Sequence, residues 1–256
     1  MGDNDANTLK GYGGDDTLVG LSGDDILVGG EGEDFLDGGE DDDNLNGGDG
    51  DDLLFVGVGE GNGTLIGGSG DNRLVGGEGD DALLGGVGND KLEGGEGDDI
   101  LLGGEGNDTS VWGVGESSNS TILDFNPAED TIEFSGLSDP GSVLVTETED
   151  GGTLITAGSL TLTVDNITPD QFSTNAITID GEQVEAPDGF DLASILRAED
   201  ASATASALSA ALDGTTEQGR VASDRNRNEV ASNQALLDEA NLDQDEKQDD
   251  ADELFS

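Results

Sequence analysis

Gly76-Gly-Glu-Gly-Asp-Asp-Ala-Leu-Leu84, Gly85-Gly-Val-Gly-Asn-Asp-Lys-Leu-Glu93 and Gly94-Gly-Glu-Gly-Asp-Asp-Ile-Leu-Leu102 follow one another without a gap. Each reads Gly-Gly-x-Gly-x-Asp-x-Leu-x, and Gly29 to Asp37 sets the same nine-residue register upstream. Position eight, followed outward, is a column: Leu9, Leu18, Leu27, Leu36, Leu45, Leu54, Leu65, Leu74, Leu83, Leu92 and Leu101. An α-helix would return a nine-residue column to one face, but the paired glycines would each cost about 1 kcal/mol there. A glycine-rich turn of about six residues followed by a strand of about three fits instead, because glycine supplies positive φ and the central strand residue points inward. One unit cannot bury its own leucine, so the units must stack as a solenoid.

Composition agrees with a narrow core. The 256 residues include 44 Gly, only 32% hydrophobic and 4% aromatic residues. Sixty Asp and Glu against eight Lys and Arg give a net charge of −52, which repels nucleic acid and anionic membrane and makes cations the natural partners. With no Cys and no His, thiolate sites, disulfides, His-dependent triads and zinc-hydrolase motifs are excluded. No apolar run reaches membrane-spanning length, so no membrane insertion is expected, and the start Met1-Gly2-Asp3-Asn4-Asp5 carries no Sec-type signal.

Glycine and proline divide the chain. Of the 44 glycines, 35 lie at or before Gly115, whereas Pro127, Pro140, Pro169 and Pro187 all follow it. Three segments are expected: a repeat region over 1–112, a β-rich capping region over 113–186 and a polar acidic tail over 187–256. Trp112 reads as an apolar plug on the open end of the stack. Ser120–Phe125, Asp130–Phe134, Val143–Thr146, Thr153–Thr156 and Leu160–Val164 alternate like half-buried strands. Leu192–Leu196, Ala201–Leu212 and Ala235–Ala240 have helical tendency in a tail otherwise expected to be disordered.

Position six is acidic in most units: Asn7, Asp16, Asp25, Asp34, Asp43, Asp52, Gly63, Asn72, Asp81, Asp90, Asp99 and Asp108. Position five is also acidic or Asn. Stacking brings like charges together with only Lys10, Arg73 and Lys91 nearby, so a cation must intervene. Hard oxygen donors, carboxylates and the carbonyls of glycine turns, select calcium. The fingerprint-like Gly57-x-Gly59 lacks a βαβ context, and Asp3-x-Asp5-x-Asn7 lacks the glycine and closing Glu of an EF-hand loop. An acidic solvated surface or a glycine-rich linker would account for the charge but not for the leucine column.

The units resemble the nonapeptides of repeats-in-toxin (RTX, hemolysin-type) calcium-binding proteins, over about residues 2 to 112. The resemblance implies an all-β, right-handed parallel β-roll in which two nonapeptides complete a coil and each ion sits between turn n and turn n+2. Carried onto this chain, that alternation sorts the expected metal ligands into two rows. One is Asp16, Asp34, Asp52, Asn72, Asp90 and Asp108, and the other runs from Asn7 through Asp25, Asp43, Gly63, Asp81 and Asp99. The pairs 16/34, 34/52, 90/108, 25/43 and 81/99 have Asp on both sides and are the five strong sites. Asn7 and Asn72 lose a carboxylate, and Gly63 has no side-chain oxygen. It sits in the one unit lengthened from nine to eleven residues, by Val56 and Gly57, where a break in one row is expected. Asp124 and Asp130 fit turn-forming and solvation roles better than a further ion.

A site of roughly 10⁻⁴ M contributes about 1.4 kcal/mol at millimolar calcium, and five give on the order of 7 kcal/mol, comparable with a whole domain's stability. The terminal Asp252-Glu-Leu-Phe-Ser256 resembles the uncleaved signals read by type I ABC exporters. These readings together describe a secreted, extracellular calcium-binding protein with a structural or surface-interaction role, exported unfolded and folding on calcium. Contact with a cell surface or glycan is the open partner. The rivals are a hydrolase with acidic catalytic residues and a glycan or ice adhesin. The periodic acids form no unique catalytic cluster, and no regular Thr-rich or aromatic face is visible, so the enzyme reading is not favoured and no catalytic residue is assigned.

Overall fold

The computed structural model describes residues 1–57, 59, 61–113, 118–137, 143–172, 176–180 and 182–183. The expected helical segments and export signal of the tail lie outside the described residues. The repeats form β1 (Thr8–Gly13), β2 (Thr17–Ser22), β3 (Ile26–Glu31), β4 (Phe35–Glu40), β5 (Asn44–Asp49), β6 (Leu53–Gly57), β7 (Thr64–Ser69), β8 (Arg73–Glu78), β9 (Ala82–Val87), β10 (Lys91–Glu96), β11 (Ile100–Glu105) and β12 (Thr109–Gly113). Odd strands build one sheet and even strands the other, every neighbouring pair of repeat strands being parallel. The chain therefore crosses from sheet to sheet with each unit, and two units complete a coil, as in Leu27↔Leu45 and Leu36↔Leu54. This is a parallel β-solenoid, and no α-helix occurs among the described residues.

The leucine column fills the space between the sheets. Leu27, Leu36, Leu45, Leu54, Leu65, Leu74, Leu92 and Leu101 are completely buried, each worth about 1.5–3 kcal/mol of transfer free energy. Positions seven and nine point the other way, as strand alternation requires.

The strands are longer than the period suggests. Most span six residues, because pairing runs on through the glycines: Val28↔Asn46 is followed by Gly30↔Gly48 and Glu31↔Asp49. Gly30 takes φ of 117°, and a Cβ there would overlap the main chain of Tyr12 in the preceding coil. Glycine thus bends the strand while its neighbours stay in register, and the true turn shrinks to positions four to six.

The two extra residues after β6 are absorbed locally. β5 and β7 keep a full ladder through Leu45↔Leu65, whereas β6 meets β8 only at Leu53↔Arg73, Leu54↔Leu74 and Phe55↔Val75.

Parallel stacking continues past Trp112. The later strands are β13 (Asn119–Ile122), β14 (Thr131–Ser135), β15 (Val143–Glu147), β16 (Thr153–Ala157), β17 (Leu160–Val164), β18 (Ile177–Ile179) and β19 (Glu182–Gln183). β13 pairs with β11 and β17 with β13, while β14 pairs with β12 and β18 with β14, all parallel. β16 and β15 then add antiparallel, as does β19 on β18. The core thickens here: Trp112 and Phe134 are fully buried, and Phe125 stacks on Phe172 at 5.3 Å.

Candidate metal centre

From Asp25 onward the position-six side chains lie at the corner between one unit's turn and its following strand, where stacking leaves almost no solvent access. Asp25, Asp34, Asp43, Asp52, Asn72, Asp81, Asp90, Asp99 and Asp108 are all at most 3% exposed. One carboxylate oxygen is committed to the preceding coil. The amide of Asp16 donates to Asp34 Oδ1 (2.7 Å), Asp34 to Asp52 (2.8 Å), Asp90 to Asp108 (2.9 Å), Asp25 to Asp43 (2.9 Å) and Asp81 to Asp99 (3.0 Å). The five Asp–Asp pairs expected from the alternation are thus brought together, each by a hydrogen bond spanning one coil.

The second oxygen is different. Oδ2 of Asp16, Asp25, Asp34, Asp43, Asp52, Asp81, Asp90 and Asp108 is buried and has no hydrogen-bond partner. A buried carboxylate oxygen without a donor carries a desolvation cost that native proteins seldom leave unanswered. It faces a gap kept open by the first glycine of its own unit. A side chain on Gly11 would put its Cβ 2.5 Å from Asp16 Oδ2 and 2.6 Å from the Gly29 carbonyl oxygen. Gly20, Gly29, Gly38, Gly47, Gly76 and Gly85 stand in the same relation to Asp25, Asp34, Asp43, Asp52, Asp81 and Asp90 and to the carbonyl one coil on. The gap is therefore bounded by a carboxylate oxygen and a main-chain carbonyl, hard oxygen donors of the kind calcium takes. No three or more acidic side chains converge on one point among the described residues, and at the gaps of Gly11, Gly20, Gly29, Gly38, Gly47, Gly76 and Gly85 the nearest oxygens are one carboxylate and one main-chain carbonyl.

Burial pushes Asp43, Asp52 and Asp99 up to about 7 and Asp108 up to about 6, neighbouring carboxylates adding to the effect. Burial, reinforced by Asp99, takes Asp81 to about 9. Asp25, Asp34 and Asp90 are raised by burial as well. No basic side chain is paired with them in the ion pairs Arg73–Glu93 and Lys91–Glu133, which join residues of other columns. A divalent cation is the simplest species that would restore the charged form.

Position five makes a complementary ladder, not anticipated from the residues. Its side-chain oxygen reaches forward one coil rather than back: Asp51 Oδ1 accepts from the Asp71 amide, Asn62 from Asp80, Asp80 from Asp98 and Asn89 from Asn107. One acceptor oxygen suffices there, which is why Asn replaces Asp freely at 62, 89 and 107. The preference for Asp at position six marks the oxygen that the backbone does not use.

Both rows end on residues outside the repeat spacing. Asp108 donates its amide to Asp130 Oδ1 at 3.0 Å and Asp99 to Ser120 Oγ at 3.1 Å, offsets of 22 and 21 residues that hide them from a nine-residue search. Asp130 Oδ2 also accepts the Asn126 amide, and Asp124 accepts those of Gly103 and Gly104. Asp130 thus continues its row and closes the local turn at Asn126, whereas Asp124 reaches back one coil to strand β11.

Within the interrupted unit, Gly63 donates its amide to Asp81 Oδ1 at 2.6 Å but has no carboxylate to offer Asp43. Asn72 keeps the ladder through Oδ1, which accepts from Asp52 at 3.0 Å.

A family model matches the same nine-residue repeat. The RTX calcium-binding nonapeptide repeat model matches four times, over residues 1–36, 28–60, 57–92 and 75–110. The solution structure of the AlgE6R3 subunit of the Azotobacter vinelandii mannuronan C5-epimerase is 29% identical, covering 51% of this chain and 84% of that one, with a TM-score of 0.40. The crystal structure of extracellular lipase LipA from Serratia marcescens is 22% identical, with a TM-score of 0.31. It covers 69% of this chain, which spans only 39% of the lipase. None of the curated proteins matches this chain. Over residues 1–110 the chain matches the RTX calcium-binding nonapeptide repeat.

Proposed function

We propose that this is a secreted protein whose repeat roll closes on calcium outside the cell, serving a structural or surface-interaction role without a catalytic step. The observation that carries the reading is the set of eight buried, unpartnered Asp Oδ2 atoms in the repeats, each facing a glycine gap. Calcium would supply the positive charge that lets these carboxylates stay ionised between coils. Asp16, Asp25, Asp34, Asp43, Asp52, Asp81, Asp90 and Asp108 would hold it through the unpartnered Oδ2, and Asp99 through an Oδ2 that also accepts the Ser120 hydroxyl, while from Asp25 onward Oδ1 locks the coil behind. Carbonyls of the position-one residues, such as Gly29 and Gly47, would complete part of each shell.

Cytosolic calcium is too dilute to fill weak sites. The chain would leave the cell open, read at Asp252–Ser256 by a type I exporter, and close where calcium is millimolar. Cell-surface or glycan contact belongs to the same reading. The test is a calcium titration of the full chain followed by far-ultraviolet circular dichroism, with native mass spectrometry for ion count. A cooperative gain of β signal near millimolar calcium, with several ions bound, is expected. An unchanged, fully folded protein in chelator that takes up no calcium would overturn the proposal.

A further inference from the structure

Two consecutive units, residues 56–66 and 67–75, depart from the pattern in opposite chemical ways. In the first, Val56 stands at position one, where the regular units have glycine, and Gly63 stands at position six, where they have Asp. The Val56 carbonyl keeps its regular place. A Cβ on Gly38 would meet the Val56 carbonyl at 2.6 Å, the same separation that Gly11 has from the Gly29 carbonyl. What differs is the gap itself. A Cβ on Gly63 would overlap Val56 Cγ2, and the valine is buried within the leucine core. The exchange is reciprocal: the residue that normally leaves the space open fills it, and the residue that normally lines it with a carboxylate has no side chain.

The second unit keeps its first glycine, Gly67, but lines the gap with Asn72. Its Oδ1 accepts the Asp52 amide and its Nδ2 donates to the Gly70 carbonyl at 3.1 Å. Turning the amide over would set NH₂ against the Asp52 N–H and oxygen against the Gly70 carbonyl, so both contacts fix its orientation. A Cβ on Gly67 would accordingly meet Asn72 Nδ2 at 2.7 Å and the Gly85 carbonyl at 2.5 Å. A hydrogen-bond donor stands where regular units present an unpartnered oxygen.

We infer that residues 56–75 form a cation-free waist, plugged by Val56 in one row and closed by the Asn72 amide in the other. It divides the roll into two calcium-loading blocks. The first holds Asp16, Asp25, Asp34, Asp43 and Asp52, and the second Asp81, Asp90, Asp99 and Asp108. Contacts that need no metal bridge them: the Val56 side chain in the core, and the Asn72 amide between coils. The shortened β6–β8 ladder lies at the same level.

This inference rests on the proposed calcium binding, and ion counting separates the two. Native mass spectrometry at saturating calcium should give N72D one ion more than the wild type, and the double variant V56G/G63D likewise. N72A should keep the wild-type number. Circular dichroism in calcium reports whether each variant folds, and N72D, a near-isosteric change, serves where the double variant does not fold. A wild type that binds no calcium would overturn the proposed function. A wild type that binds calcium while folded N72D gains no ion, or N72A loses one, would overturn the waist.

Discussion

Asp34 reaches back one coil to accept the Asp16 amide on Oδ1 at 2.7 Å, while its Oδ2 stays buried without a donor. One side chain thus does two separable jobs: holding the preceding coil, and lining a gap between coils.

Replacing Asp34 by Asn and by Ala should separate them. Asp34→Asn retains an acceptor for Asp16 and removes the charge, so the roll should fold in calcium with at least one ion fewer. Asp34→Ala also strands the Asp16 amide, adding about 1–3 kcal/mol of destabilisation. Native mass spectrometry for the ions and thermal unfolding in calcium for stability would check both. Equal ion counts in Asp34→Asn and the wild type would contradict the assignment.

The metal-free roll should prefer acid. Burial raises Asp43, Asp52 and Asp99 from 3.8 to about 7 and Asp81 to about 9. A carboxyl whose folded value is raised holds its proton longer in the folded state. Its contribution is complete below the unfolded value of 3.8 and is lost as pH climbs through the folded value. In chelator the residual β signal should therefore be largest near pH 5 and fall towards pH 9, and Asp81→Asn should flatten the part above pH 7. Calcium replaces these protons, so its affinity should weaken on acidification. Parallel circular dichroism spectra in chelator and calcium titrations at pH 5 and pH 8 test this, and identical affinities would contradict it.

The leucine column should dominate stability. Leu83→Ala, at 1% exposure in the middle of the stack, should cost about 2–5 kcal/mol in calcium. Val87→Ala, at 54% exposure at the end of the same strand, should change stability by less than about 0.5 kcal/mol. Denaturant unfolding of the two variants supplies the comparison.

Leu21 occupies a position-two corner with φ of 98°, where most units place glycine. It is also 36% exposed, so little burial offsets the strain. Leu21→Gly should stabilise the roll by about 1 kcal/mol. Gly30→Ala, at the matching corner with φ of 117° and the Tyr12 main chain against it, should destabilise it. Thermal unfolding in calcium distinguishes the two directions.

The amino-acid sequence alone determined the nine-residue period and the inward leucines, because a strict repeat places the same residue types at the same separation in every unit, while the stacking of alternate units and the five Asp pairs were what the resemblance to RTX nonapeptides implied. It did not reveal that Gly30 keeps the ladder running through the bend, since a φ angle and a close backbone approach leave no mark beyond the glycine itself. The division of labour between Oδ1 and Oδ2, and the forward reach of position five, required the coils to be stacked. Both depend on where an amide of the neighbouring coil points. Ser120 and Asp130 became row members only in the tertiary structure, for they lie at separations that no period shares. Val56 shows the same limit: its place in an open gap depends on Gly63, seven residues along, having no side chain to contest it. Periodicity specifies contacts that repeat, whereas a contact made once is decided by packing.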